Sequence, residues 1–364
     1  MVLYLFLLLI PSVVLVVLKK NENKERISLF VTCFVVFLLL ALRSKDSGCD
    51  LNAYASMYED LKGVGFGEVL KSFCLFGKSE ILGVEWGYTL FTWVLYKVGF
   101  GFQALLAIQS AFCVFSICHF VDKYSTKPSL SIVIVIAFGV VDYFYCILRQ
   151  SMAFAVILFS VEFWEKKKHV VSMLMFLISV SFHRSIALFC VVFPLSFLPI
   201  NWYTSIAWIA ISVLIIPLFP LFNRLFIEGF MVRFGGSYLS KGFEFGELVV
   251  VIIAIALFTT FFYSRKEEIS RIDRLVFWAF MMCVPLEFVA MYIPVMGRLL
   301  TLCFMPFSSI AITNSFIREN EEMDKVSISL SVLIFLAVFA YYAFCLYFDK
   351  RLLGIVPYKL FFVA

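Results

Sequence analysis

Charge is what this chain has least of. Of its 364 residues, 15% are Asp, Glu, Lys or Arg against 63% apolar, and the mean hydropathy is +1.00. A soluble domain runs nearer a quarter charged and half apolar, so the shortage excludes one and points to a polytopic membrane protein. Histidine is scarce too. There are three, none paired at ligand spacing, and no HExxH or DxD stands anywhere in the chain. Asp46 and Asp50, four residues apart, do not by themselves define a divalent-cation site. No GxxxxGK[ST] loop is present to cradle ATP phosphates, and no cofactor is expected. The 10 cysteines contain no CxxC pair. Cys33, Cys113, Cys118, Cys283 and Cys303 lie inside apolar runs and read as small buried hydrophobes, whereas Cys49 and Cys74 share a long loop and could pair in an oxidising compartment. The net charge of +5 does not point to nucleic acid, because the basic residues lie between apolar segments rather than on one soluble face.

What is present is apolar length and 45 Phe residues. A crossing helix needs about 20 apolar residues, fewer in a thin bilayer. The segments that qualify are 2–18, 27–43, 101–121, 129–147, 150–164, 169–182, 185–199, 204–220, 247–263, 275–293, 298–316 and 327–347. The first has no basic region before it and no small-residue cleavage site, so it reads as a retained span. Segment 86–98 is apolar but short, and reads as re-entrant or interfacial. Five short loops, Lys19–Arg26, Asp122–Lys127, Glu165–His169, Ser264–Arg274 and Arg318–Lys325, carry half of the chain's 30 Lys and Arg. All five share one face only if 86–98 does not cross, and the positive-inside rule makes that face cytoplasmic. The expectation is an all-α protein of about twelve spans, a single domain over 1–364, both termini outside, and two external loops at 44–85 and 221–246. No internal repeat is visible.

With that threading, the outer face collects Arg149, Arg184 and Arg298 at span edges, where cations would ordinarily snorkel toward the cytoplasm. Around them stand Arg43, Asp46 and Asp50 after span 2, Tyr54 and Tyr58 a turn apart, and Glu85 opening segment 86–98. His183, Arg233, Tyr238 and Glu287 complete the set. A guanidinium offers a planar fork to phosphate and keeps its proton, so several together suit a pyrophosphate leaving group. Tyrosine faces suit sugar rings, and carboxylates suit sugar hydroxyls. Each residue also has an ordinary reading: Arg as an interfacial anchor, Arg43 as a cap of span 2, His183 as a hydrogen-bonded packing residue. Glu287, inside span 10, is costly unless paired or protonated and reads as functional or as the partner of an Arg.

Several of these residues fall in a recognisable order. The run Arg43…Gly48–Cys49–Asp50…Tyr54 is followed by Glu85–Trp86–Gly87–Tyr88 and Leu148–Arg149–Gln150–Ser151–Met152–Ala153. Then come Phe182–His183–Arg184–Ser185–Ile186–Ala187, Gly297–Arg298–Leu299 and Pro357–Tyr358. The succession resembles the EpsG-like branch of the Wzy polysaccharide polymerases, across most of the chain. Arg184 is less typical of that pattern, and its role is read from topology alone.

The resemblance implies a metal-independent, GT-C-like glycosyltransferase of the bacterial inner membrane, working on the periplasmic side. Its donor and acceptor would both be undecaprenyl-pyrophosphate-linked oligosaccharides, O-antigen or exopolysaccharide repeats, met from the membrane lipid. A chain-length regulator is a further candidate partner, and nucleic acid is not one. Arg149 and Arg298, helped by Arg184, would hold the pyrophosphate, and His183 or Asp50 would orient the acceptor hydroxyl. Arg43, Tyr54, Glu85, Arg233, Tyr238 and Glu287 would bind substrate. Three rivals stand beside this reading: a flippase for the lipid-linked repeat, an O-antigen ligase of the same topology class, and a non-catalytic membrane scaffold. A flippase would want polar groups along a full path and often a two-halves repeat.

Overall fold

The computed structural model describes residues 2–74, 78–214, 269–290, 296–316, 325–348 and 353–362. The helices in chain order are α1 (Val2–Val17), α2 (Lys24–Ala41), α3 (Leu51–Glu59), α4 (Phe66–Lys71), α5 (Trp86–Val98), α6 (Phe102–Tyr124), α7 (Pro128–Ala137), α8 (Val140–Cys146), α9 (Leu148–Glu165) and α10 (His169–Phe182). A 3-10 turn, Arg184–Val191, leads to α11 (Val192–Leu195) and α12 (Trp202–Val213). Then follow α13 (Arg271–Met281), α14 (Cys283–Ala290), α15 (Met296–Leu299), a π turn at Leu300–Phe304, α16 (Met305–Phe316) and α17 (Lys325–Tyr347). Among the described residues there is no extended sheet, so the all-α expectation holds.

Contacts divide the chain into two compact units, Met1–Leu188 with Glu319–Ala364, and Phe189–Arg318. In the first, the packing is apolar on the outside and partly polar within. On α2, Ser28 and Thr32 are buried while Phe30, Phe34 and Leu38 are exposed. Between α9 and α10, the hydroxyls of Ser160 and Ser172 each donate to the other's carbonyl, at 2.7 and 2.8 Å, and Ser179 donates to Ala153 at 2.6 Å. Exposed aliphatic and aromatic surface of this extent is what a lipid-facing helix presents.

The charged loops gather at one end of this unit. Arg26 holds Asp122 through two bonds of 2.7 and 2.6 Å. Glu162 meets His119, Lys123 and Lys166 at 2.8, 3.0 and 2.6 Å. These contacts join the start of α2 to the ends of α6 and α9, so three of the five basic loops share one end of the bundle. At the opposite end, Gln103 of α6 donates to the carbonyls of Ala41 and Arg43 at 2.6 and 3.2 Å. The chain's last described segment docks there against residues 42–49. Ser44 N–H donates to Lys359, Gly48 to Gly354, Cys49 to Leu353 and Phe361 to Leu42, while the Tyr4 hydroxyl reaches Ile355 at 2.7 Å.

Helix α5 keeps both of its ends near that second end. Its start faces the Glu85 site described below, and three residues after its last turn α6 begins. Tyr58 of α3 bonds the Phe100 carbonyl between them at 2.8 Å. Thirteen residues at about 1.5 Å each reach about 20 Å, short of a bilayer core. Both ends of segment 86–98 thus lie toward the same ends of α6, α9 and α10.

Other expected spans differ in form. Segment 129–147 is two helices, α7 and α8, bent by 56° at Phe138–Gly139, where Gly139 takes a left-handed φ of 84°. Segment 185–199 is the 3-10 turn plus the short α11, and 298–316 is interrupted by the π turn. Among the described residues one helix, Phe102–Tyr124, is by itself long and apolar enough to cross a membrane, with α7 and α8 as a second if they form one bent span. Segment 247–263 and part of 204–220 lie outside the described residues.

Candidate functional site

Glu85 caps α5 with an extended backbone (φ −61°, ψ 142°). Gly87, two residues on, lets that end of the helix press against α10: a Cβ there would collide with the Ser181 hydroxyl and stand 2.8 Å from its backbone carbonyl atoms. The approach sets the Glu85 carboxylate among three other elements. Its Oε2 accepts from Arg149 Nη1 at 2.5 Å, and its Oε1 lies 2.9 Å from His183 Nδ1. The second contact is close enough for an ion pair, but the ring N–H is not aligned on the oxygen, so Nδ1 is buried without an aligned hydrogen bond. Arg149 stands on the first turn of α9, where Nε donates to the Tyr54 hydroxyl at 3.2 Å and the guanidinium lies 5.9 Å from that ring. Tyr88 packs edge-on against Tyr54, ring centres 5.7 Å apart, with its own hydroxyl buried and unbonded.

The electrostatics follow from burial. The Glu85 side chain is 3% exposed, against 24% for Arg149 and 22% for His183. Burial alone would push the Glu85 carboxyl up, but the His183 ring nitrogen and the Arg149 guanidinium outweigh it and hold the group down at about 2. Burial raises the Tyr54 phenol, against the pull of Arg149. Arg149 Nε and Nη1 are the nitrogens so engaged, and Nη2 bonds to no described residue. Chemically, the site offers a fixed carboxylate, a cation with a spare donor, an imidazole held at one nitrogen, and aromatic walls.

The remaining expected residues are placed as follows. Asp50 precedes α3 one turn before Tyr54, half-buried, its carboxylate bonded to no described residue. Arg184 is half-buried and opens the 3-10 turn directly after His183. Arg43 does not reach a surface. It is wholly buried, bonded to the Leu40 carbonyl and to Ser110 Oγ and packed over the Tyr145 ring at 5.3 Å, with Nε and Nη2 unpartnered. Its expected substrate contact gives way to an interior position, because the docked segment around Leu360 closes over it. Arg298 (α15) and Glu287 (α14) belong to the second unit. Arg233 and Tyr238 lie outside the described residues. Among the described residues no group of three or more His, Cys, Asp or Glu could hold a metal ion.

Sequence reasoning placed Glu85 at the outer face but assigned it only a substrate contact, and looked to Glu287 for a carboxylate that pairs with an arginine. The one signal was Glu85's position at the mouth of a short apolar segment. Tyr88 carried no signal beyond its place in the Glu85–Trp86–Gly87–Tyr88 run.

The EpsG family model matches residues 26–360 of the chain. No curated protein and no solved structure matches it.

Proposed function

From the premise that the chain belongs to the EpsG family, a membrane-associated family with a polysaccharide-polymerase role, we propose that it polymerises lipid-linked oligosaccharide repeats at the outer face of a bacterial inner membrane. The donor is a growing chain on undecaprenyl pyrophosphate, and the acceptor is the non-reducing end of a new lipid-linked repeat. About twelve spans carry the site in a GT-C-like arrangement. The basic loops are cytoplasmic, both termini are outside, and α5 lies in the outer interface.

One observation carries the reading: a single buried carboxylate, Glu85, meets both Arg149 and His183. Bonded to Glu85 and Tyr54, Arg149 turns its spare nitrogen to the pyrophosphate and stabilises the charge that grows there as the anomeric C–O bond breaks. The Glu85 carboxylate 2.9 Å from His183 Nδ1 favours a proton on that nitrogen, which leaves the lone pair on Nε2. That nitrogen takes the proton of the acceptor hydroxyl as its oxygen bonds the anomeric carbon. Attack opposite the leaving group inverts the configuration. Asp50 and Tyr54 line the sugar side, Arg184 and Arg298 add positive charge for the pyrophosphate, and Glu287 positions Arg298 or a sugar hydroxyl. Arg233 and Tyr238 take substrate contacts in the second external loop.

The test is the length distribution of surface polysaccharide in a strain lacking this gene. Collapse to a single repeat, restored by the wild type and not by Arg149→Ala at equal protein level, is the expected result. Loss of every repeat with lipid-linked units trapped inside would mean a flippase. Full-length free polymer that fails to reach lipid A core would mean a ligase.

A further inference from the structure

The end of α8 and the loop before α3 bring two thiols together. Cys146, the last residue of α8, is fully buried, and its Sγ donates to the Leu353 carbonyl at 3.1 Å. Cys49 is exposed, and its backbone N–H donates to the same carbonyl at 3.0 Å. The two residues therefore sit side by side on one carbonyl. The backbone between them has closed as far as it can: Gly48 takes a φ of 85°, and a Cβ on it would stand 2.6 Å from Cys146 Sγ. Two cysteines that converge on one carbonyl, one of them with its neighbour's backbone against the other's sulfur, are placed for the short approach a disulfide needs. Cys146 thus stands beside Cys49 as a second candidate partner, alongside the Cys74 that shares its loop. The chemistry proposed above uses neither sulfur.

We propose that Cys49 and Cys146 are an oxidisable pair that closes to a disulfide on the outer side of the membrane, tying the loop that leads to Tyr54 to the helix that leads to Arg149. The proposal rests on the outward placement of loop 44–85 in the preceding reading. The oxidant is a dithiol–disulfide oxidoreductase of the outer compartment in its disulfide form. The exposed Cys49 loses its proton and attacks one sulfur of that disulfide, which breaks and releases the other sulfur as a thiol. Cys146 Sγ then attacks the Cys49 sulfur of the mixed disulfide, and the oxidant leaves with its second thiol. Two S–H bonds of this chain become one S–S bond, and the oxidant's S–S becomes two S–H. The consequence for the site is positional. Tyr54 lies five residues after Cys49 and Arg149 three after Cys146, and these two meet at 3.2 Å. A covalent tie just ahead of both holds their register.

The experiment is thiol counting on the full chain in cells. Cells are quenched in acid and denatured, and thiols are tagged with a polyethylene-glycol maleimide with and without prior reduction. The wild type should take two more tags after reduction. Cys49→Ser and Cys146→Ser should each abolish the difference, and Cys74→Ser should leave it. Equal tagging with and without reduction overturns the proposal, and diamide added to isolated membranes then tells why. A Cys49–Cys146 crosslink formed only with diamide overturns it through the outward placement of the loop, and the site's orientation falls with it. No crosslink even with diamide overturns the pairing alone and leaves the polymerase reading as it stood.

Discussion

Glu85 and Arg149, 64 residues apart in sequence, are joined at 2.5 Å, and the acid is buried where the base is about a quarter exposed. The pair is closed from one side and open from the other. That asymmetry suits a cation held in place by a carboxylate it does not share with solvent, while still turned toward an anionic ligand.

Removing the anion should cost fold and function together. Breaking a buried pair costs about 3–5 kcal/mol, and the partial exposure of Arg149 brings the expectation for Glu85→Gln down to about 2 kcal/mol. Thermal unfolding of the purified protein in detergent reads the first effect, and polymer length in cells reads the second. Unchanged values on both would show that the pair has no energetic weight.

Arg149→Lys separates charge from shape. An ammonium can still meet Glu85 but cannot also reach Tyr54 and keep a donor spare. Transfer should fall about 100-fold, the scale of one lost leaving-group or oxyanion donor, with membrane protein level near normal. In a vesicle assay with purified lipid-linked repeat, wild-type rates for the lysine variant would refute the role of the fork.

The pH dependence of stability has a definite sign. The Glu85 carboxyl is depressed in the folded chain, from 4.5 to about 2. Its contribution is therefore complete above about 4.5 and is lost as pH falls from there through about 2. Unfolding midpoints should drop across that acid window in the wild type more steeply than in Glu85→Gln. Curves that stay parallel across the acid window would show that Glu85 does not titrate there.

Gly87→Ala tests the approach of α5 to α10. The added methyl meets Ser181 backbone atoms at 2.8 Å as well as the side chain, and overpacking of this kind costs about 1–3 kcal/mol. Adding Ser181→Gly should rescue stability only in part, because the backbone remains in the way. Complete rescue, measured by unfolding midpoint and polymer length, would place the conflict in the hydroxyl alone.

Much of this arrangement was legible in the sequence because charge is so sparse. Arg26, Asp122 and Glu162 stand out against apolar runs, and the rule that basic loops share a face grouped them as the contacts do. The shortness of segment 86–98 likewise forecast a short helix, Trp86–Val98. Pairing across distance was less accessible: periodicity says that Glu85, Arg149 and His183 lie at one level, not which carboxylate takes which cation. The bend at Gly139 was hidden because glycine scarcely lowers the hydropathy of a Val- and Ile-rich run. Arg43, expected as a substrate contact or a cap of span 2, is wholly buried, and nothing local shows that a segment some three hundred residues later pairs with its backbone.

That covering segment also ties the site to the order of synthesis. Tyr358 bonds the carbonyl of Leu39, 319 residues earlier, and Leu353 receives both Cys49 and Cys146. The loop leading to Tyr54 emerges from the ribosome some three hundred residues before the segment that fastens it. A product cut short after α17 could insert its helices and still leave that loop unfastened. Fastening of that loop thus waits on the synthesis of residues 353–361, and a product that stops short of them carries its helices with the loop open.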